Sequence, residues 1–148
     1  MAQNENPHKL LRLSDTQLTV ADPAEDVRGR NVIDKNAERI GEVSDLIVDD
    51  RETRVRFLEV ASGGLFGLGR QKSLIPVDAI VGINDEAVHI NQSRQRISEA
   101  PPYDPDLINE EVGDESYYGH VYRHYGYPPY WGPGYVYPHY PYYHMPPV

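Results

Sequence analysis

The sequence predicts an all-β fold: a small barrel of five to six short strands, then a short C-terminal helical turn and a disordered tail. Three observations carry that prediction. Short runs rich in Val, Ile, Leu and Phe recur between Val32 and Ile90, broken by turn residues roughly every 8–12 positions, the spacing of barrels and sandwiches. Leu, Ile and Val are frequent up to Ile97 and nearly vanish after Val112, which confines the core to the first two-thirds of the chain. Eleven of the twelve tyrosines fall from Tyr117 onward, among seven prolines and four glycines, a composition that opposes regular structure.

The elements follow in order. Residues 1–9 read as a frayed terminus. From Leu10 to Val27 the apolar positions are Leu10, Leu11, Leu13, Leu18 and Val20, and Ser14 with Gln17 has the form of a weak capping box. A short helical turn leading into an extended arm is expected there, ended by Pro23. Val32-Ile33 is a brief strand closed by the turn Asp34-Lys35-Asn36-Ala37, and Ile40 to Val48 is the next, ending at the polar cluster Asp49 to Thr53. Val55 to Ala61 is rich in β-branched and aromatic residues and stops at Ser62-Gly63-Gly64; Lys72 to Ile75 is stopped by Pro76. Ala79–Ile83 and Ala87–Ile90 flank Asn84-Asp85-Glu86, a hairpin signal.

Within Val55-Arg56-Phe57-Leu58-Glu59-Val60 the alternation breaks, since 55 and 57 share one face while 58 and 60 share the other. A β-bulge near Phe57-Leu58 reconciles them. Ser93 to Ala100 reads as about two helical turns before Pro101-Pro102. The chain thus divides into an N-terminal arm (1–25), a barrel domain (26–100), an acidic linker (101–115) and a disordered Tyr/Pro/Gly/His-rich tail (116–148).

Charge narrows the partners. Residues 1–100 carry 13 basic and 17 acidic side chains, and residues 101–148 set six acids against Arg123, for a net −9 overall. No basic stripe of the kind that neutralises phosphates is evident, and an acidic surface disfavours anionic membranes. Neither nucleic acid nor membrane insertion is expected. With no cysteine, disulfides, thiolate catalysis and Cys-ligated metals are out of reach. The polar first residues lack the apolar run of a signal peptide, so a cytoplasmic location is expected.

Motifs that carry chemistry are incomplete. Gly64 and Gly69 have phosphate-loop spacing, but Arg70-Gln71 replaces the Lys-Ser/Thr pair that reaches phosphate and magnesium. Lys72 stands where a dinucleotide fingerprint needs its third glycine. Asp104-Pro105-Asp106 starts like a calcium loop, yet Ile108 and Asn109 occupy positions requiring an oxygen ligand and glycine. His120 and His124 stand four apart, but with no helix expected there they do not form a chelating pair, and no metal or other cofactor is expected. His8 and His89 have no nucleophile nearby, and Asp49-Asp50 and Glu110-Glu111 sit in turn or linker. An enzyme is not expected. What stands out is apolar: Leu65, Phe66 and Leu68 on a glycine-rich tip either fold back over the open end of the barrel, the favoured reading, or form an exposed candidate interaction patch, and Tyr130, Trp131 and Tyr135 are candidate tail contacts.

An ordered series of landmarks resembles the PRC-barrel domain family, the module named for the photosynthetic reaction centre H subunit, which also forms the C-terminal half of a bacterial ribosome-maturation factor. The landmarks are Asp26-Val27-Arg28-Gly29 with Val32-Ile33-Asp34, then Ile40-Gly41-Glu42-Val43 through Asp49, then Val55 to Val60. Gly63 to Gly69, Leu74-Ile75-Pro76-Val77-Asp78-Ala79-Ile80 and Ala100-Pro101-Pro102-Tyr103-Asp104 complete the series. Gly41 in a buried strand fits a tight bend or close backbone approach. Where the family usually has glycine in its first hairpin turn, this chain has Asn36-Ala37; asparagine is the residue that tolerates the left-handed conformation. The resemblance implies a docking platform without family-wide catalytic residues, of the freestanding bacterial kind, often of unassigned or stress-linked role.

Three roles follow as expectations. The first is a non-enzymatic adaptor with a protein partner, or a homodimer through exposed sheet edges. The second is a structural protein that self-assembles through its aromatic tail. The third, an accessory to ribosome assembly, ranks last.

Overall fold

The computed structural model describes residues 9–20, 23–51, 54–63, 70–104, 112–113, 115–133 and 135. Seven strands form one sheet: β1 (Leu10–Arg12), β2 (Asn31–Ile33), β3 (Arg39–Asp49), β4 (Arg54–Gly63), β5 (Arg70–Pro76), β6 (Ile80–Ile83) and β7 (Ala87–Ile90). Among the described residues two α-helices follow, α1 (Arg94–Ser98) and α2 (Tyr117–Tyr125). The sheet runs β5-β4-β3-β2-β7-β6, with β1 joined to β3. All pairings are antiparallel except β2 with β7. The 11-residue β3 is the spine: β4 takes one edge, while β2 and β1 divide the other.

Four extra residues curl the sheet. The register skips Ile40 opposite β2, Ser44 opposite β4, Arg56 opposite β3 and Val81 opposite β7. Each bulge bends its strand and adds right-handed twist. The bulge expected near Phe57-Leu58 lies one residue earlier, at Arg56, and has the expected effect: Val55, Leu58 and Val60 face one core while Phe57 faces another. The curl does not close the barrel, because no ladder joins β5 to β6 among the described residues.

The inner face encloses Val43, Leu46, Val48, Leu58, Ile75 and Val88, and Leu13 and Val20 of the arm, with Val27 just after it, plug it. The arm also differs from expectation by adding β1 to the sheet. The short helical turn comes after this strand, at Leu13–Asp15, and Ser14 bonds the Asp45 carboxylate rather than capping. Close approach at Gly41 is as expected: a Cβ there would lie 2.4 Å from the Ala61 carbonyl oxygen. In the first hairpin turn the left-handed residue is Ala37 (φ 67°), not Asn36. The Asp34 carboxylate holds that turn by accepting from the Asn36 and Glu38 amides, both at 2.9 Å. Asn84 caps the β6–β7 turn through the amides of Glu86 (2.8 Å) and Ala87 (2.9 Å).

The largest departure from the sequence reading is α2, which lies in the stretch expected to be disordered. All seven tail prolines come at or after Pro128, so averaging them over residues 116–148 hides a proline-free segment. Ser116 caps this segment by accepting from the Gly119 amide (3.3 Å), and Gly126 (φ 83°) ends it in the left-handed conformation. Tyr118, Val121, Tyr122 and Tyr125 then form one helical stripe against Leu10, Ile47, Phe57 and Leu74 on the outer face of the sheet. Residues 136–148 lie outside the described residues.

Candidate functional site

The bulge at Arg56 aims its guanidinium outward under the C-terminal segment, where it is 3% exposed. Its Cζ lies 4.0 Å from the ring centre of Tyr130 and 5.4 Å from that of Tyr135. Tyr130 donates to Asp49 Oδ2 at 2.5 Å and Tyr135 to Asp78 Oδ2 at 2.9 Å. Trp131 stands edge-on to Tyr122 (5.6 Å) and Tyr130 (5.2 Å). Tyr130, Trp131 and Tyr135 are therefore brought together, but as cover for a buried cation. Burial pushes the Asp78 carboxyl above its ordinary range, against the Tyr135 hydrogen bond and the Arg56 charge. The patch Leu65, Phe66 and Leu68 lies outside the described residues.

His120 and His124 do fall on a helix, contrary to expectation. His124 Nε2 meets the Arg96 carbonyl oxygen at 2.7 Å, and His120 Nδ1 lies 2.7 Å from the Arg123 guanidinium. No group of three or more metal-ligating side chains occurs among the described residues.

A second constellation, not singled out in the sequence, surrounds Glu59 on β4. Its carboxylate is 1% exposed. It accepts from Ser44 Oγ (2.8 Å) and the Tyr103 hydroxyl (2.8 Å), and pairs with Arg12 (3.2 Å) and Lys72 (3.3 Å). Burial raises its pKa, but those hydrogen bonds and charges more than offset this and hold the carboxyl below its usual range. Tyr103 responds oppositely, pushed up by burial and by the carboxylate it serves.

Glu59 and Asp34 together fix a strap, residues 93–103. At one end Asp34 accepts from the Arg94 amide (2.8 Å), and Ser93 caps α1 through the Arg96 amide (3.1 Å). At the other end Tyr103 is tied to Glu59, and Tyr117 donates to the Pro101 carbonyl (3.3 Å). Asp34, like Glu59, is held below its ordinary range: burial raises it, and the amides of Glu38, Arg94 and Asn36 overcome that.

Between the strap and the mouth of the sheet run two adjoining clefts of about 390 Å³ and about 350 Å³. They share Gln71, Ser73, Ile97 and Ser98. Ile40, Val60 and Ile97 provide an apolar floor, Arg39 and Arg94 line the first cleft, and Lys72 lines the second. Among the described residues no carboxylate lines either one. The clefts are mixed in polarity, suited to recognition by hydrogen bonds and side-chain insertion.

A family model for the PRC-barrel domain matches residues 21–97, just over half of the 148-residue chain. The chain belongs to the PRC-barrel domain family. No curated protein matches it significantly. In this PRC-barrel the match covers β2 to β7 and most of α1, whereas β1, the Tyr103 tie and α2 lie beyond it. Sequence reasoning missed Arg56, Glu59 and α2. The signal for α2 was present as i, i+3, i+4, i+7 spacing at positions 118, 121, 122 and 125, with Ser116 before it and Gly126 after it.

Proposed function

We propose that this PRC-barrel protein is a non-enzymatic docking module that binds a protein partner through the clefts along its strap. One observation carries the reading. Every buried charged side chain among the described residues is engaged in holding the fold together. Asp34 holds the first turn and α1, and Asp45 holds Ser14. Asp49 accepts from Tyr130, Glu59 joins Arg12, Lys72 and Tyr103, and Arg56 lies against Tyr130 and Tyr135. Groups so committed are poor acids, bases or nucleophiles, whereas the clefts present serine, glutamine and aliphatic surface flanked by Arg39, Arg94 and Lys72. A cytoplasmic setting fits a fold that uses no cysteine.

The tail-driven alternative draws less support, because Tyr118, Tyr122, Tyr125 and Tyr130 are buried against the sheet. Self-assembly through them requires the segment to leave the sheet first. No described helix is long and apolar enough to cross a membrane.

In-cell photocrosslinking from single positions on the full chain tests the proposal. Probes at Gln71 and Ser98 in the clefts are expected to give a discrete protein adduct, whereas a probe at the exposed Val81 is not. Absence of an adduct from every position, or turnover of a substrate by the purified protein, overturns it.

A further inference from the structure

We propose that the strap clefts receive an extended acidic peptide of a partner protein, which adds to the free edge of β5; this rests on the docking function proposed above. Among the described strands β5 pairs with β4 only. In an antiparallel pair, alternate residues of such an edge strand point their amide and carbonyl away from the neighbour. The strap lies alongside β5 without pairing with it, and Pro101 and Pro102, which line the second cleft, have no N–H to donate. That leaves backbone hydrogen-bonding capacity beside an open groove, the setting in which extended peptides add as a strand.

The charge pattern selects the peptide. The chain carries 23 acidic against 14 basic side chains, yet Arg39, Arg94 and Lys72 line these clefts and, among the described residues, no carboxylate does. Arg39 and Arg94 do have nearby carboxylates, Glu42 at 3.7 Å and Glu38 at 3.9 Å. All four side chains are 42–62% exposed, so these pairs are loose and water-screened. Lys72 shares Glu59 with Arg12. An incoming carboxylate can therefore exchange with Glu38 or Glu42 without uncovering a buried charge. Strand addition would point alternate side chains of the peptide toward Ile97 of the strap, which faces Gln71 and Ser73 of β5 across both clefts, so apolar residues alternating with acidic ones fit best.

The test is an amide NMR titration of the full chain with a synthetic peptide of alternating Glu and Val, beside its Lys–Val counterpart and a short oligothymidylate. The Glu–Val peptide is expected to shift Ser62, Gln71, Ser73, Ile97 and Ser98. The Arg39→Glu/Arg94→Glu double variant should weaken binding by about tenfold or more, as reversal of facing charges does. Ser98→Trp, which fills the clefts without changing charge, should abolish it. Equal binding of the Lys–Val peptide, shifts confined to another face, oligothymidylate binding at these residues, or no shifts at all overturns the inference. A crosslinked partner captured through a different face leaves a docking function standing while removing this site.

Discussion

Replacing Tyr122 by alanine tests whether the C-terminal segment is part of the folded domain. Tyr122 is fully buried, with its ring 5.3 Å from Phe57, 6.2 Å from Tyr130 and 5.6 Å from Trp131. Truncating a buried aromatic costs about 3–5 kcal/mol, from lost transfer energy plus the cavity left behind. If α2 melts together with the sheet, the thermal midpoint falls by about 10–20 °C. If α2 detaches first, the midpoint moves less, but residues 116–135 become open to protease and the emission of Trp131, the only tryptophan, shifts to the red. Tyr122→Phe separates packing from polarity. The Tyr122 hydroxyl is buried with no hydrogen-bond partner among the described residues, so its removal should leave stability within about 1 kcal/mol or raise it. Unchanged melting, protease resistance and Trp131 emission in Tyr122→Ala would refute the packing of α2 on the sheet.

Gly41→Ala should destabilise by about 1–3 kcal/mol in a denaturant titration, because the new Cβ meets the Ala61 backbone carbonyl, which the β3–β4 ladder holds in place. Ala37→Gly should stabilise by about 0.5–1 kcal/mol in the same assay: relief of a left-handed alanine, about 1–2 kcal/mol, outweighs the added freedom of the unfolded chain. Glu59 and Asp34 are both held below their ordinary pKa, so the stability they contribute is complete above the unfolded carboxylate values near ~4 and is lost as pH falls through the folded ones. Glu59→Gln should therefore lower stability at neutral pH by about 1–3 kcal/mol and flatten the acid limb of a pH–stability curve. Asp78 has the opposite sign, since its raised pKa gives a contribution that is present in acid and lost as pH rises. Asp78→Asn should thus gain stability at neutral pH while keeping an acceptor for Tyr135, as melting at two pH values can check.

Much of the barrel was legible from local signals. The runs at Val32-Ile33, Ile40–Val48, Val55–Ala61, Lys72–Ile75, Ala79–Ile83 and Ala87–Ile90 each became a strand or the greater part of one, because β-branched residues between turn residues leave few other ways to bury apolar surface. The broken alternation around Phe57 pointed to a bulge, since Val55 joins Leu58 and Val60 on one face only if a residue between them is left out of the alternation. The helical turn after Ser93 was equally local, with its capping residue and closing prolines adjacent in sequence.

By itself, then, the sequence determined strands β2 to β7, the need for a bulge near Phe57 and the absence of thiol chemistry, all properties of neighbouring residues or of composition. Only the tertiary structure decided what Arg56, Glu59 and the tail tyrosines do. Tyr103 reaches Glu59 from 44 residues away, and Tyr130 reaches Asp49 from 81. A tyrosine-rich helix with no aliphatic core of its own has no reason to form alone; the outer face of Ile47, Phe57 and Leu74 supplies the burial that makes it worth ordering. The clefts belong to the same level, because they are the space left between a strap pinned at Asp34 and Glu59 and a sheet that its bulges curl without closing.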